Sequence, residues 1–385
     1  MKQPRGTDTW KWLAAGTAWV VVALGTGMGA AQTGDATKTR MRGVFVTLTT
    51  AYKYSLDAQA FEDPANRNKI HSSLQALVAN ASELERHGIE LDPSFDYLKR
   101  SLAKDAAEAL SRFEQGQYMG SRWMLNKLVE NCVTCHSKLP AEQSLDVGSA
   151  FMKDAEVKSL DPLPRAELEI ATRQFNVALA SYEKVFADRN VSPQTISITG
   201  AFESYMRLCV GVRREPQRAV RTFATFAVRE DVPDNLRALI REWIRALGAV
   251  NLDVAPGDGL TVGRRLINES VARIRFPKDR TRQVEFIWAA TLLHRYLREA
   301  NGGDEQVAEA YYLLGVAESY ISRSFWISET DYLLELAIRK APHTQVARDA
   351  YDFLEEYTLA GHAVTARDVP EEVEKRLSEL RALTE

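Results

Sequence analysis

Cys132-Val133-Thr134-Cys135-His136 is the segment whose residue types and spacing define a chemistry. On a helix, positions 132, 135 and 136 share a face, so two thiols can form thioethers to haem vinyl groups while the adjacent imidazole ligates the iron. One short segment then fixes a single haem c both covalently and axially. A structural zinc site needs further ligands, and the remaining cysteine, Cys209, comes with no second C-x-x-C and no histidine pair at ligand spacing. A thioredoxin-like redox pair needs a βαβ setting, and the patterning here is helical throughout.

Four amphipathic patterns must position that segment, over about residues 37–140. Met41, Val44, Phe45, Leu48, Tyr52 and Leu56 recur at helical spacing, and Asp63-Pro64 then supplies a cap and a first-turn proline. A second helix aligns Ile70, Leu74, Leu77, Ala81 and Leu84 and stops at Gly88, a suitable left-handed residue. Asp92-Pro93 opens a third, and Gly116 and Gly120 bracket the break before a fourth that carries Leu125, Leu128, Cys132 and Cys135. Short connections between four such helices predict an antiparallel, up-down-up-down bundle.

A C-x-x-C-H motif at the end of the fourth helix of a bundle resembles the class II cytochromes c, the cytochrome c′ type. That resemblance implies one haem wedged among the helices, His136 as proximal ligand, and either an open distal face or a distal methionine from the first helix. It also implies a basic residue near a haem propionate, for which Arg40 and Arg42 stand beside Met41; a solvated surface role fits either equally well. Bundle geometry restricts the sixth ligand independently, because the end of the fourth helix lies level with the start of the first and the junction of the second and third. Met41 is the first candidate. The alternatives are an open, five-coordinate iron facing Val44 or Phe45, with Met41 only filling space, and His87; His71 starts the second helix at the far end. Phe95, Tyr97 and Trp123 are either pocket walls or ordinary core.

The stretch 141–164 holds Pro140, Gly148, Pro162 and Pro164 in and beside it and no sustained apolar stripe, which predicts an interdomain linker. From 165 to 385 helical patterns return in pairs separated by Pro and Gly breaks, predicting an α-solenoid of helical hairpins. Ala171, Phe175 and Ala178, and Gly315, Ala337 and Pro342, match positions of tetratricopeptide repeats, so this block resembles that family. Cys209, in an apolar context, reads as a buried inert thiol. His294, His343 and His362 read as surface or capping residues, and Tyr311, Tyr312, Tyr320 and the 323–326 segment as packing core or the lining of a groove.

The chain of 385 residues has room for two or three folded units, and 45% apolar with 26% charged residues exclude disorder and a polytopic membrane protein. A formal net charge of -3 gives no support to nucleic-acid binding. Lys2, Arg5 and Lys11 before an apolar stretch and Gly29-Ala30-Ala31 read as a secretory signal over 1–31, and membrane attachment follows only if it stays uncleaved. The expected compartment is the bacterial periplasm. No P-loop, G-x-S-x-G, H-E-x-x-H or second haem motif occurs. The all-α reading is therefore an exported monohaem c-type cytochrome, an electron carrier rather than an enzyme, whose repeats dock a redox partner or multiprotein complex. A haem-based gas sensor or scavenger with an open distal site is the alternative, and a monohaem peroxidase the third.

Overall fold

The computed structural model describes residues 25–86, 93–138, 148, 151–153, 155–194, 196–276, 279–299, 302–321, 329–365 and 369–385; among them the regular structure is helical, without a strand. Most of the expected signal segment, His87, Gly88 and the 323–326 segment lie outside the described residues. The all-α expectation holds.

The first apolar patterns form α1 (Gly25–Ser55), a one-turn α2 (Ala58–Glu62), α3 (Arg67–Arg86), α4 (Pro93–Glu114) and α5 (Tyr118–Lys138). α1 packs on α3, α3 on α4, α4 on α5, and α5 on α1. Their facing side chains, Leu48, Leu74, Leu77, Ala106 and Leu128 among them, are buried in one apolar cluster. α4 ends in a Schellman cap: Gly116 takes φ 72, its N–H reaches Phe113 O at 3.0 Å, and Gln117 N–H reaches Arg112 O at 2.8 Å. Gly120, expected in the break, instead lies in the first turn of α5, where a Cβ would sit 3.0 Å from the Arg112 guanidinium.

The remaining described elements are α6 (Ala155–Lys158), α7 (Pro162–Ala171), α8 (Phe175–Ala187), α9 (Ile196–Arg207), α10 (Pro216–Ala227), α11 (Asp234–Ala249), α12 (Gly259–Val271), α13 (Gln283–Glu299), α14 (Asp304–Ile321), α15 (Thr330–Lys340), α16 (Gln345–Thr365) and α17 (Glu371–Arg381). A π-helical turn, Leu208–Val212, continues α9. α12 through α16 each pack on the next helix in sequence, and α12 with α14 and α14 with α16 also touch.

Two expectations change here. Where it is described, the 141–164 stretch is no solvated tether: Phe151, Met152 and Val157 are buried in the core of α1–α5, and Phe151 meets Phe45 edge-on at 5.7 Å. These apolar residues are too sparse to show a period, yet all three find the core. The Ala171/Phe175 match also fails as part of one repeat helix, because α7 ends at Ala171 and α8 starts at Phe175. Leu168 and Ala171 join the first core while Ala166 and Ile170 join the second, so α7 is shared between the two.

Gly315 lies where two helices approach closely. A Cβ there would lie 2.8 Å from Leu334 Cγ, so the glycine permits the close approach of α14 and α15. Gly315→Val gains only a few tenths of a kcal/mol in helix propensity, about the valine–glycine difference, and loses about 1–3 kcal/mol by overpacking. A lowered urea midpoint with an unchanged slope is the expected result.

Candidate functional site

The last two turns of α5 carry Cys132, Cys135, His136 and Lys138. Arg122, one turn into α5, donates from Nε to Ser55 O at 2.8 Å, which joins the start of α5 to the end of α1. Met41 and His136 each lie fourteen residues from that contact, on α1 and α5 respectively. Met41 and Cys132 are both partly buried against the same apolar cluster. His71 is at the opposite end, bonded through Nε2 to Glu114 at the close of α4 at 2.9 Å.

Cys132 and Cys135 are free, half-buried thiols. Burial pushes both up to about 12, and for Cys135 the neighbouring Cys132 adds to the effect. They stay protonated at neutral pH, which disfavours chemistry that needs a thiolate. Among the described residues no group of three or more His, Cys, Asp or Glu converges to hold a metal ion.

His136 is buried, 5% exposed, with Nδ1 2.9 Å from Ala171 O. A carbonyl only accepts, so Nδ1 carries the hydrogen and Nε2 keeps its lone pair. Burial first, then the charge of Arg173, push the imidazole down to about 4, with backbone hydrogen bonds opposing them. The ring is thus neutral at physiological pH, the form that ligates metals.

The accepting carbonyl belongs to a specific cap. α7 closes with Arg173 N–H on Ile170 O at 2.8 Å and Gln174 N–H on Glu169 O at 2.8 Å, the two bonds of a Schellman motif. Those bonds leave the Ala171 carbonyl to the imidazole. The left-handed position falls on Arg173, φ 59, where α4 uses glycine. A non-glycine residue there costs about 1 kcal/mol.

Beyond His136 the chain is anchored by Lys138, whose side chain is 8% exposed and bonded to Glu318 at 2.9 Å and Glu329 at 2.6 Å, themselves 5% and 1% exposed. Burial works against the ammonium, but the two carboxylates outweigh it and hold Lys138 charged. Burial also opposes ionisation of Glu318, yet Lys138 and Arg207 keep it below the usual carboxylate range. Glu329 is pushed above that range by burial, which Lys138 only partly offsets. The π-helical turn packs on α5 as well, and a Cβ on Gly211 would sit 3.8 Å from Ser137 O.

Other expected residues are placed differently. Tyr97 stacks on Tyr332 of α15 at 5.4 Å, fastening α4 to the later helices. Phe95 is buried, Trp123 is 45% exposed beneath the Lys127 ammonium, Arg42 is exposed and Arg40 half-buried. His294, read as a surface or capping residue, is instead buried on α13. Cys209 is buried in the π-helical turn, as expected, and its thiol is pushed up to about 12 by burial. Tyr320 stacks on Phe286 at 4.6 Å, in the packing role.

Sequence reasoning missed Lys138, Glu318, Glu329 and the α7 cap. Lys138 carried only the weak signal of a basic residue in a last turn, and nothing local marks its two distant carboxylates. Compared with protein-family models, curated proteins and solved structures, the chain finds no match.

Proposed function

We propose that the chain is an exported monohaem c-type cytochrome that carries electrons. In this reading α1, α3, α4 and α5 form a four-helix haem bundle of the class II type. The later helices form a stack of hairpins that docks the bundle to a redox partner or multiprotein complex. The carrying observation is the donor set on α5: two free thiols at C-x-x-C spacing, beside an imidazole whose Nδ1–H is engaged by a backbone carbonyl, the tautomer that keeps the lone pair on Nε2. This set fits haem c, since thioether attachment needs two thiols that reach separate vinyl groups and not a converging cluster. Bound haem supplies one-electron chemistry at its iron. Cys132 and Cys135 would hold it covalently and His136 axially, while burial excludes water from the proximal imidazole. The neighbour pattern of α12–α16 supports the hairpin-stack reading.

Met41, partly buried against the same apolar cluster as Cys132, is proposed as the sixth ligand. Expression in a host with cytochrome c maturation tests the whole reading: haem should stay with the polypeptide after denaturation and acid–acetone extraction, one per chain. Absence of covalent haem overturns it. Met41→Ala should convert a low-spin, six-coordinate iron to a form that binds CO rapidly when reduced. An unchanged visible spectrum removes Met41 from the ligand set, and rapid CO binding by the unsubstituted protein favours the gas-sensing alternative.

A further inference from the structure

We infer that the C-terminal cap of α7 is the proximal wall of the haem site, with the Ala171 carbonyl as the acceptor that positions His136 and sets its donor strength. The inference rests on the haem reading above and goes beyond the attachment motif, because the acceptor and the cap that presents it lie outside C-x-x-C-H. The last four carbonyls of a helix lack intrahelical partners. In α7 the cap satisfies Glu169 O and Ile170 O, and Ala171 O goes to the imidazole Nδ1 at 2.9 Å. That carbonyl stands at the negative end of the α7 dipole. A ligating histidine whose second nitrogen donates to such an acceptor is fixed in one tautomer and becomes a stronger donor to its metal.

The position of α7 follows from its packing. α5 packs directly on α7, and α7 contributes Ala171 to the core of α1–α5 and Ile170 to the core of the later helices. The proximal histidine is thereby built from both parts of the chain. A stronger imidazole donor stabilises ferric over ferrous iron, so the α7 cap lowers the reduction potential relative to the same haem without that hydrogen bond. Arg173 is the positioning residue: its left-handed backbone, φ 59, closes the cap that presents the carbonyl.

Two substitutions at that position separate geometry from charge, because both remove the guanidinium. Glycine adopts the left-handed conformation freely, whereas a β-branched residue resists it. Haem-loaded Arg173→Gly and Arg173→Val, full length, are compared by potentiometric titration. The expected result is a more positive potential for Arg173→Val than for Arg173→Gly. Equal potentials overturn the inference while leaving the haem reading intact; failure of the unsubstituted chain to acquire haem overturns the haem reading, and the inference with it. Should Arg173→Val not accumulate folded, the ferrous unsubstituted protein is read by NMR. A slowly exchanging His136 Nδ1 proton is expected there, and a rapidly exchanging one overturns the inference.

Discussion

Lys138→Met is expected to destabilise the chain by about 3–5 kcal/mol, the range for breaking a buried ion pair by removing one partner. The side chain sits between Glu318 and Glu329 at 2.9 and 2.6 Å, with all three groups nearly inaccessible to water. Methionine fills similar volume, so the loss is electrostatic rather than a cavity effect. Without the ammonium, Arg207 is left beside Glu318, but burial and the mutual repulsion of the two carboxylates push each towards its protonated form. Their folded pKa values then lie above the unfolded values near 4.3. In the window above 4.3 the folded state binds more protons than the unfolded one, so the variant loses stability as pH rises and regains part of it as pH falls towards 5. Urea unfolding at pH 5 and pH 7 measures this. A deficit equal at both values would assign the effect to packing. Adding Glu318→Gln and Glu329→Gln to Lys138→Met should recover part of the loss, since it removes the two carboxylates left buried without their ammonium.

The same contact explains why part of the molecule was legible in the sequence and part was not. Helical period is a local property: Ile70, Leu74, Leu77 and Ala81 lie on the buried face of α3 as their spacing required. The Cys132–His136 motif was visible for a similar reason, since the chemistry proposed for it resides in five consecutive residues. Its surroundings are non-local. Lys138 meets Glu318 and Glu329 across well over a hundred residues of sequence, and no pattern in any one helix specifies those partners. The α7 cap was masked by its own composition. Schellman caps are recognised by glycine, as at Gly116, but α7 places Arg173 in the left-handed position. An alanine–phenylalanine spacing read as one repeat helix thus proves to be a helix end followed by a helix start. The apparent linker misled for a third reason: Phe151, Met152 and Val157 are buried singly, without the periodicity that marks an apolar face.

Replacing both Cys132 and Cys135 by serine should abolish covalent haem entirely, the largest effect expected of any substitution at the site. In the proposed haem reading each thiol supplies one thioether, so the two single variants should retain the cofactor through the other sulfur. They should also differ from the unsubstituted protein in a defined direction. A vinyl group left unsaturated extends the conjugation of the porphyrin, and the α-band of the alkaline pyridine complex should move to longer wavelength. The pair of single variants therefore reports attachment sulfur by sulfur. In the chain that lacks haem the same sulfurs should be poor nucleophiles, because burial raises both thiols to about 12 and leaves little thiolate at neutral pH. Slow alkylation of folded, haem-free protein and fast alkylation in urea are expected. Fast alkylation in the folded state would instead mark a reactive thiol pair, and a full complement of covalent haem in the double serine variant would remove Cys132 and Cys135 from the attachment chemistry.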